Sequence, residues 1–181
     1  MRGLTNSADG FGWITRLIHW LMALALLGML VLGTVLEEMQ PGLANLWLYG
    51  LHKTIGISLL ALVVVRLAWH RFSPPPKPLG GVPHWQERLA VWAHRGLYLL
   101  MIAIPLSGWV ASSATGIDVM LAGRWVMPAL APVSQAWEEA GFAVHGALTK
   151  LLLALVVLHV AGALKRAWAG DGTLRRMVAG R

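Results

Sequence analysis

The stretch GFAVHGALTKLLLALVVLHVAGAL, residues 141–164, carries a single charged side chain, Lys150, and two histidines, His145 and His159. At about 1.5 Å rise per residue it is long enough to cross roughly 30 Å of hydrocarbon as one helix. Fourteen positions separate the histidines, which places them about 40° apart around that helix and roughly 21 Å apart along it. They leave nearly one face at two depths, with Leu148, Thr149, Leu152 and Val156 between them. An ionisable side chain inside a membrane is costly unless a partner satisfies it. The rest of the chain must supply those partners.

Three further apolar runs are available. Leu17–Leu36 is uncharged between Arg16 and Glu37. It exceeds the h-region of a signal peptide and no small-residue cleavage pattern precedes Glu37, so it is expected to be retained. Leu48–Arg71 forms a span if Lys53 and Arg66 snorkel to opposite interfaces. Gly96–Ile117 is uncharged throughout, with Pro105 as an expected kink whose freed carbonyl a neighbouring helix or Ser107 would satisfy. The expectation is an all-α integral membrane four-helix bundle, one domain over residues 1–181, with spans near 15–36, 48–71, 90–115 and 141–168. A composition of 57% hydrophobic and 13% charged residues excludes a water-soluble globule.

The charges orient the bundle. Arg2 and Arg16 precede the first span, Arg66, Arg71, Lys77, Arg88 and Arg95 surround the second loop, and Lys165, Arg166, Arg175, Arg176 and Arg181 follow the fourth span. Glu37, Glu38, Asp118, Glu138 and Glu139 fall on the opposite side, so the positive-inside rule puts both termini in the cytoplasm. The net charge of +7 is thus a topology signal; the basic residues flank spans without forming the stripe that a nucleic-acid partner would require. Trp13, Trp47, Trp69, Trp85, Trp137 and Trp168 lie near predicted boundaries, as interfacial anchors do. The second loop, with Pro74, Pro75, Pro76 and Pro78, reads as an extended connector. The third, broken by Gly116, Gly123, Pro128 and Pro132, is expected to cap the outer face.

His19 lies one turn into the first span, level with His159, and His52 begins the second span on the outer side, level with His145. Two transverse pairs result. The absence of cysteine excludes disulfides, thiolate-bound zinc, iron–sulfur clusters and covalently attached haem. With no carboxylate at these depths either, two neutral imidazoles suit the axial positions of a haem iron better than a four-ligand zinc site. The inferred cofactor is non-covalent haem b, twice, each built into the bundle core between facing helices. Filled axial positions keep oxygen off the iron and favour single-electron transfer. For any one histidine a structural hydrogen bond or a proton relay is the competing reading; four at two matched levels argue for haem.

Other residues attach to this reading. Gly56, Gly146 and Gly162 are small enough to let a macrocycle approach the backbone. Arg16, three residues before His19 and on its face, is a candidate partner for a haem propionate, with surface topology as the alternative. His94, beside Arg95 at the cytoplasmic end of the third span, is the odd histidine, either satisfied at the interface or placed near a propionate or a quinone.

These residues also resemble a known family, the bacterial cytochrome b561 family of four-helix, di-haem membrane proteins. The matching text is Arg16-Leu17-Ile18-His19-Trp20, Leu51-His52-Lys53-Thr54-Ile55-Gly56-Ile57, His94-Arg95-Gly96-Leu97-Tyr98-Leu99-Leu100 and Pro105-Leu106-Ser107-Gly108-Trp109. His145 with His159, and Asp171-Gly172-Thr173-Leu174-Arg175-Arg176-Met177, complete an ordered set over nearly the whole chain. The resemblance implies that His19 and His159 ligate a cytoplasmic-side haem, that His52 and His145 ligate a periplasmic-side haem, and that the protein sits in the bacterial inner membrane. It also implies exchange of electrons with ubiquinone, and one branch of the family oxidises superoxide at the periplasmic face. The chain departs from many relatives at Lys165-Arg166, where further histidines are common.

Two functions compete at this stage. One is a superoxide:ubiquinone oxidoreductase, with Lys53, Arg124 and Lys150 steering the anion on the outer face. The other is a non-catalytic membrane anchor that passes electrons between quinone and a periplasmic redox protein docked on the acidic outer side.

Overall fold

The computed structural model describes residues 3–180, so Arg2 and Arg181 lie outside the described residues. Four long helices dominate: α1 Trp13–Glu38, α2 Leu46–Phe72, α3 His84–Ala114 and α4 Gln135–Trp168. All four are long and apolar enough to cross a membrane. The expected all-α bundle is therefore the observed one. α1 and α2 match their expected limits to within two residues. α3 and α4 each start six residues earlier than their expected spans, because hydropathy marks the lipid-embedded part whereas backbone hydrogen bonding continues past it. Pro105 sits inside α3. The Ser107 hydroxyl, expected to relieve it, donates instead to Ile104.

The third loop does more than break helices. Met120–Leu121 (β1) and Trp125–Val126 (β2) pair antiparallel, turned by Ala122 and Gly123 at φ 53° and 64°. Its tip is pinned to α2 by the Ala122 N–H donating to Thr54 Oγ1, 3.1 Å, and the following strand of chain by Trp109 Nε1 donating to the Pro128 carbonyl, 3.0 Å. The loop thus caps the end of the bundle where α2 and α4 begin, next to His52. This is the hairpin end; the other is the terminal end.

At the terminal end a fifth helix, α5 Thr173–Ala179, which the sequence reading did not anticipate, folds back under the bundle. Arginines hold it there. Arg176, only 8% exposed, donates to the carbonyls of Ala8, Asp9 and Lys77. Arg166 pairs with Asp171, and also donates to Thr173 Oγ1 and to the Gly80 carbonyl. N-terminal segment, second loop and C-terminal helix are sewn into one layer, so the proline-rich loop is more than a solvated connector. Burial alone would raise the Asp171 pKa, but the Thr173 N–H at 2.8 Å, the Thr173 hydroxyl and the Arg166 guanidinium outweigh it and hold the carboxyl below its ordinary range. A depressed folded pKa adds stability that is fully present above the unfolded value and is lost as pH falls through the folded one. Amide exchange of α5 is therefore expected to accelerate beyond its intrinsic chemistry as pH falls below the ordinary carboxylate range, with Asp171→Asn already fast at neutral pH.

The core is thin and divided. Ile18, Met22, Leu59 and Val63 join α1 to α2, whereas Leu97, Leu100 and Leu152 join α3 to α4. α1 packs closely on α2, α2 on α3, and α3 most extensively on α4; α4 makes no comparable backbone approach to α1 or α2 among the described residues. Leu26, Leu30, Leu148, Leu155 and Val156 close the middle of that interval with side chains alone. Of the tryptophans expected as anchors, Trp13, Trp47, Trp85, Trp137 and Trp168 are exposed. Trp69 is a correction: it packs on the α1–α2 core and its indole N–H donates to the buried Thr15 hydroxyl at 2.9 Å.

Candidate functional site

Helix periodicity brings the histidines to the interval that the backbones leave open. His19 of α1 faces His159 of α4 with ring centres 6.3 Å apart, and His52 of α2 faces His145 of α4 at 6.1 Å. An imidazole nitrogen binds a metal at about 2 Å, with the ring centre roughly 1 Å behind it, so two imidazoles on opposite sides of one ion have centres about 6 Å apart. Both pairs meet that spacing. Among the described residues no three His, Cys, Asp or Glu side chains converge as an ion cage, and an opposed pair of imidazoles suits the two axial positions of haem better than a four-ligand zinc site. The four side chains are partly buried in the bundle.

The surroundings fix one tautomer. His145 Nδ1 lies 2.9 Å from the Ile104 carbonyl, which can only accept, so Nδ1 carries the proton and Nε2 keeps its lone pair for a metal. Ser107 Oγ stands 3.3 Å from the same nitrogen. Gly108 is the floor of this ring: a Cβ there would meet His145 Cε1 at 2.9 Å and Nδ1 at 3.0 Å. A Cβ on Gly33 would lie 3.5 Å from His52 Cε1, an ordinary van der Waals contact that leaves that ring uncrowded. His52 Nδ1 is buried without a hydrogen-bond partner. Gly108 and Gly33 had been given no role from sequence, because the approach is between helices and no periodicity within one helix reports it.

The remaining candidates fall as follows. Nothing lies within 4 Å of a Cβ placed on Gly146 or Gly162, and only the Met29 methyl, at 3.7 Å, near one on Gly56. His94 is not without a partner: its ring centre is 5.0 Å from that of His159, and its Nδ1 donates to the Ala90 carbonyl at 2.6 Å. α3 extends far enough towards the terminal end to carry His94 level with the His19–His159 pair. Arg16 turns towards α5, with Nη1 donating to the Val178 carbonyl at 2.7 Å. Arg66, expected to snorkel, instead bends inward, its Nη2 3.3 Å from His19 Nδ1, because imidazole, thioether and phenol offer it polarisable partners there. Lys53 is half-buried beside His52; Arg124 on the hairpin and Lys150 on α4 are exposed. Lys165 and Arg166 serve the terminal layer, Lys165 reaching Gln86 at 3.4 Å.

With the geometry established, comparison with known proteins adds an independent result. The family model described as prokaryotic cytochrome b561 matches residues 10–180. The chain is also 34% identical, over 178 residues, to cytochrome b561 homolog 2 of Escherichia coli (strain K12), an alignment covering 96% of this chain and 94% of that protein. Four membrane-spanning helices, paired imidazoles and this match agree with the motifs of the sequence: the chain belongs to the prokaryotic cytochrome b561 family, and membership implies haem b as its cofactor.

Proposed function

We propose that the chain is a di-haem b electron carrier of the bacterial inner membrane, with both termini cytoplasmic, moving electrons from a periplasmic donor to ubiquinone. The observation that carries this reading is the opposition of His19 to His159 and of His52 to His145, each near 6 Å, at two levels of one bundle. Each haem, when bound, supplies one-electron iron chemistry. The chain holds it by two imidazoles, sets the His145 tautomer through Ile104, and excludes water between levels with leucine side chains.

The donor that fits best is superoxide. Two superoxide anions each give up one electron and leave as oxygen, and ubiquinone takes both electrons with two protons to become ubiquinol. Lys53, Arg124 and Lys150 offer positive charge near the outer level, and a short-lived anion gains from such steering. Purified protein is expected to be reduced by superoxide and to form ubiquinol at one per two anions, with the rate falling as salt screens the approach. Haems that stay oxidised under a superoxide flux at every ionic strength would reject the donor.

A second reading is supported by charge of the other sign. Glu37, Glu38, Asp118 and Glu139 are exposed on the hairpin side, and an acidic face suits a basic periplasmic redox protein for which this chain would be the membrane anchor. Stoichiometric co-purification of such a protein, together with no superoxide-dependent reduction of the isolated chain, would favour it.

A further inference from the structure

Arg66 is a cation turned towards the terminal-level histidines. It leaves α2 six residues before the helix ends and points at protein, not at the lipid interface. Nη2 is 3.3 Å from His19 Nδ1, Nη1 is 3.7 Å from Met22 Sδ, and the guanidinium carbon stands 5.6 Å from the centre of the Tyr98 ring. Nε is buried with no partner at all. Among the described residues the ion pairs are His84–Glu87 and Arg166–Asp171, so no described carboxylate neutralises Arg66.

A guanidinium keeps its charge at any pH a protein survives, and it carries five donors in a planar fork suited to a carboxylate. Burying it against three weak partners is expensive unless a strong one arrives. The contact with His19 adds a second observation. Arg66 can only donate, so His19 Nδ1 must accept, and the proton of the neutral ring then sits on Nε2. That tautomer differs from the one fixed at His145, and Arg66 is close enough to the terminal-level rings to meet a carboxylate entering beside them. Arg16 cannot substitute while its Nη1 is held by Val178 and its guanidinium packs against Gly180.

We propose that Arg66 is the carboxylate clamp of the terminal-level site, the residue whose guanidinium would pair with a haem propionate there. This rests on the two-haem reading and names a binding residue that neither the sequence motifs nor the family match assigns.

The test uses the full-length chain, expressed without haem and titrated in lipid nanodiscs with haem b or with its dimethyl ester, which keeps the iron and ring but loses both carboxylates. Occupancy of the terminal level is followed by its absorption spectrum. Wild type is expected to bind the diacid at least about tenfold more tightly than the diester at that level, the range of a charge-assisted bidentate pair. Arg66→Met should reduce the preference to about twofold or less by weakening the diacid alone, with Arg66→Lys intermediate. Equal binding of diacid and diester by wild type overturns the proposal without recourse to any variant. An unchanged preference in Arg66→Met overturns it as well. A wild-type chain that binds neither compound defeats the two-haem reading itself, an outcome distinct from bound haem without acid preference.

Discussion

His145→Ala protein is expected to purify with one haem per chain in place of two, retaining the terminal-level haem, and His159→Ala to lose the terminal-level haem instead. His52→Ala should match the first and His19→Ala the second, because in the proposed di-haem arrangement each pair would hold one iron between two rings, whose centres lie 6.1 Å apart for His52–His145 and 6.3 Å apart for His19–His159. Removing one of two axial nitrogens takes away half of the protein's direct bonds to the metal, so affinity at that level should fall by more than about a hundredfold, beyond the range seen for outer-shell partners. Reduced-minus-oxidised spectra with haem counted per chain read the result. Both haems retained in all four variants would defeat the ligand assignment. His94 makes the His159 variant informative in a second way. Its ring is 5.0 Å from that of His159, so a residual low-spin signal in His159→Ala that disappears in the His94→Ala, His159→Ala double variant would show a neighbouring imidazole taking the vacated position.

Gly108→Ala, a change of one methyl group on α3, is expected to damage the His52–His145 level alone, though less than loss of a ligand does. The added carbon would meet His145 Cε1 and Nδ1 at 2.9 and 3.0 Å. Either the ring moves by several tenths of an ångström or α3 does, and the 2.9 Å bond from Nδ1 to Ile104 is strained in both cases. Overpacking of this kind costs about 1–3 kcal/mol, and a weakened bond to the carbonyl removes about 1 kcal/mol more. Outer-haem affinity should therefore fall at least about tenfold, with Gly108→Val worse and the terminal-level spectrum unchanged. Gly146→Ala is the contrast. Nothing in the chain lies within 4 Å of the new methyl, so the substitution should stabilise α4 by up to about 1 kcal/mol unless a macrocycle occupies that space, in which case haem binding suffers and the role given to Gly146 stands. Wild-type outer-haem affinity in Gly108→Ala would show that the ring relaxes freely and that this glycine is dispensable.

Much of the bundle could be read from where charge is absent. Leu17–Leu36 and residues 141–164 declare themselves because a lysine or arginine cannot be left in hydrocarbon cheaply, and the histidine levels follow from helical rise alone. What was illegible depends on pairs of elements. Whether Arg66 snorkels or folds inward is decided by Met22, His19 and Tyr98 on two other helices, which no property of α2 reports. His94 seemed to lack a counterpart only because the apolar run of α3 begins two residues after it, whereas the helix begins ten residues before it. The same holds for α5: Thr173–Ala179 is too short to persist alone, and its order comes from arginines bonded to carbonyls more than eighty residues away. The hairpin turn rests on Ala122 at positive φ, an unfavourable choice for a residue with a Cβ, which the Gly123 signal hinted at without locating the strands.

The leucine layer between the two histidine levels has an electrical meaning. Apart from Thr149, whose hydroxyl donates to the His145 carbonyl, the side chains Leu26, Leu30, Leu97, Leu100, Leu148, Leu152 and Val156 offer no hydroxyl, carboxylate or amide along which a proton could hop. On the proposed function, an electron crossing this dielectric slab would go unescorted, so the charge it displaced would be uncompensated and would do work against, or be driven by, the membrane voltage, on the scale of 2.3 kcal/mol per 100 mV for a full crossing. Each turnover would act as the discharge or the charging of a molecular capacitor, coupling the redox state of the outer compartment to the proton-motive force without any moving part.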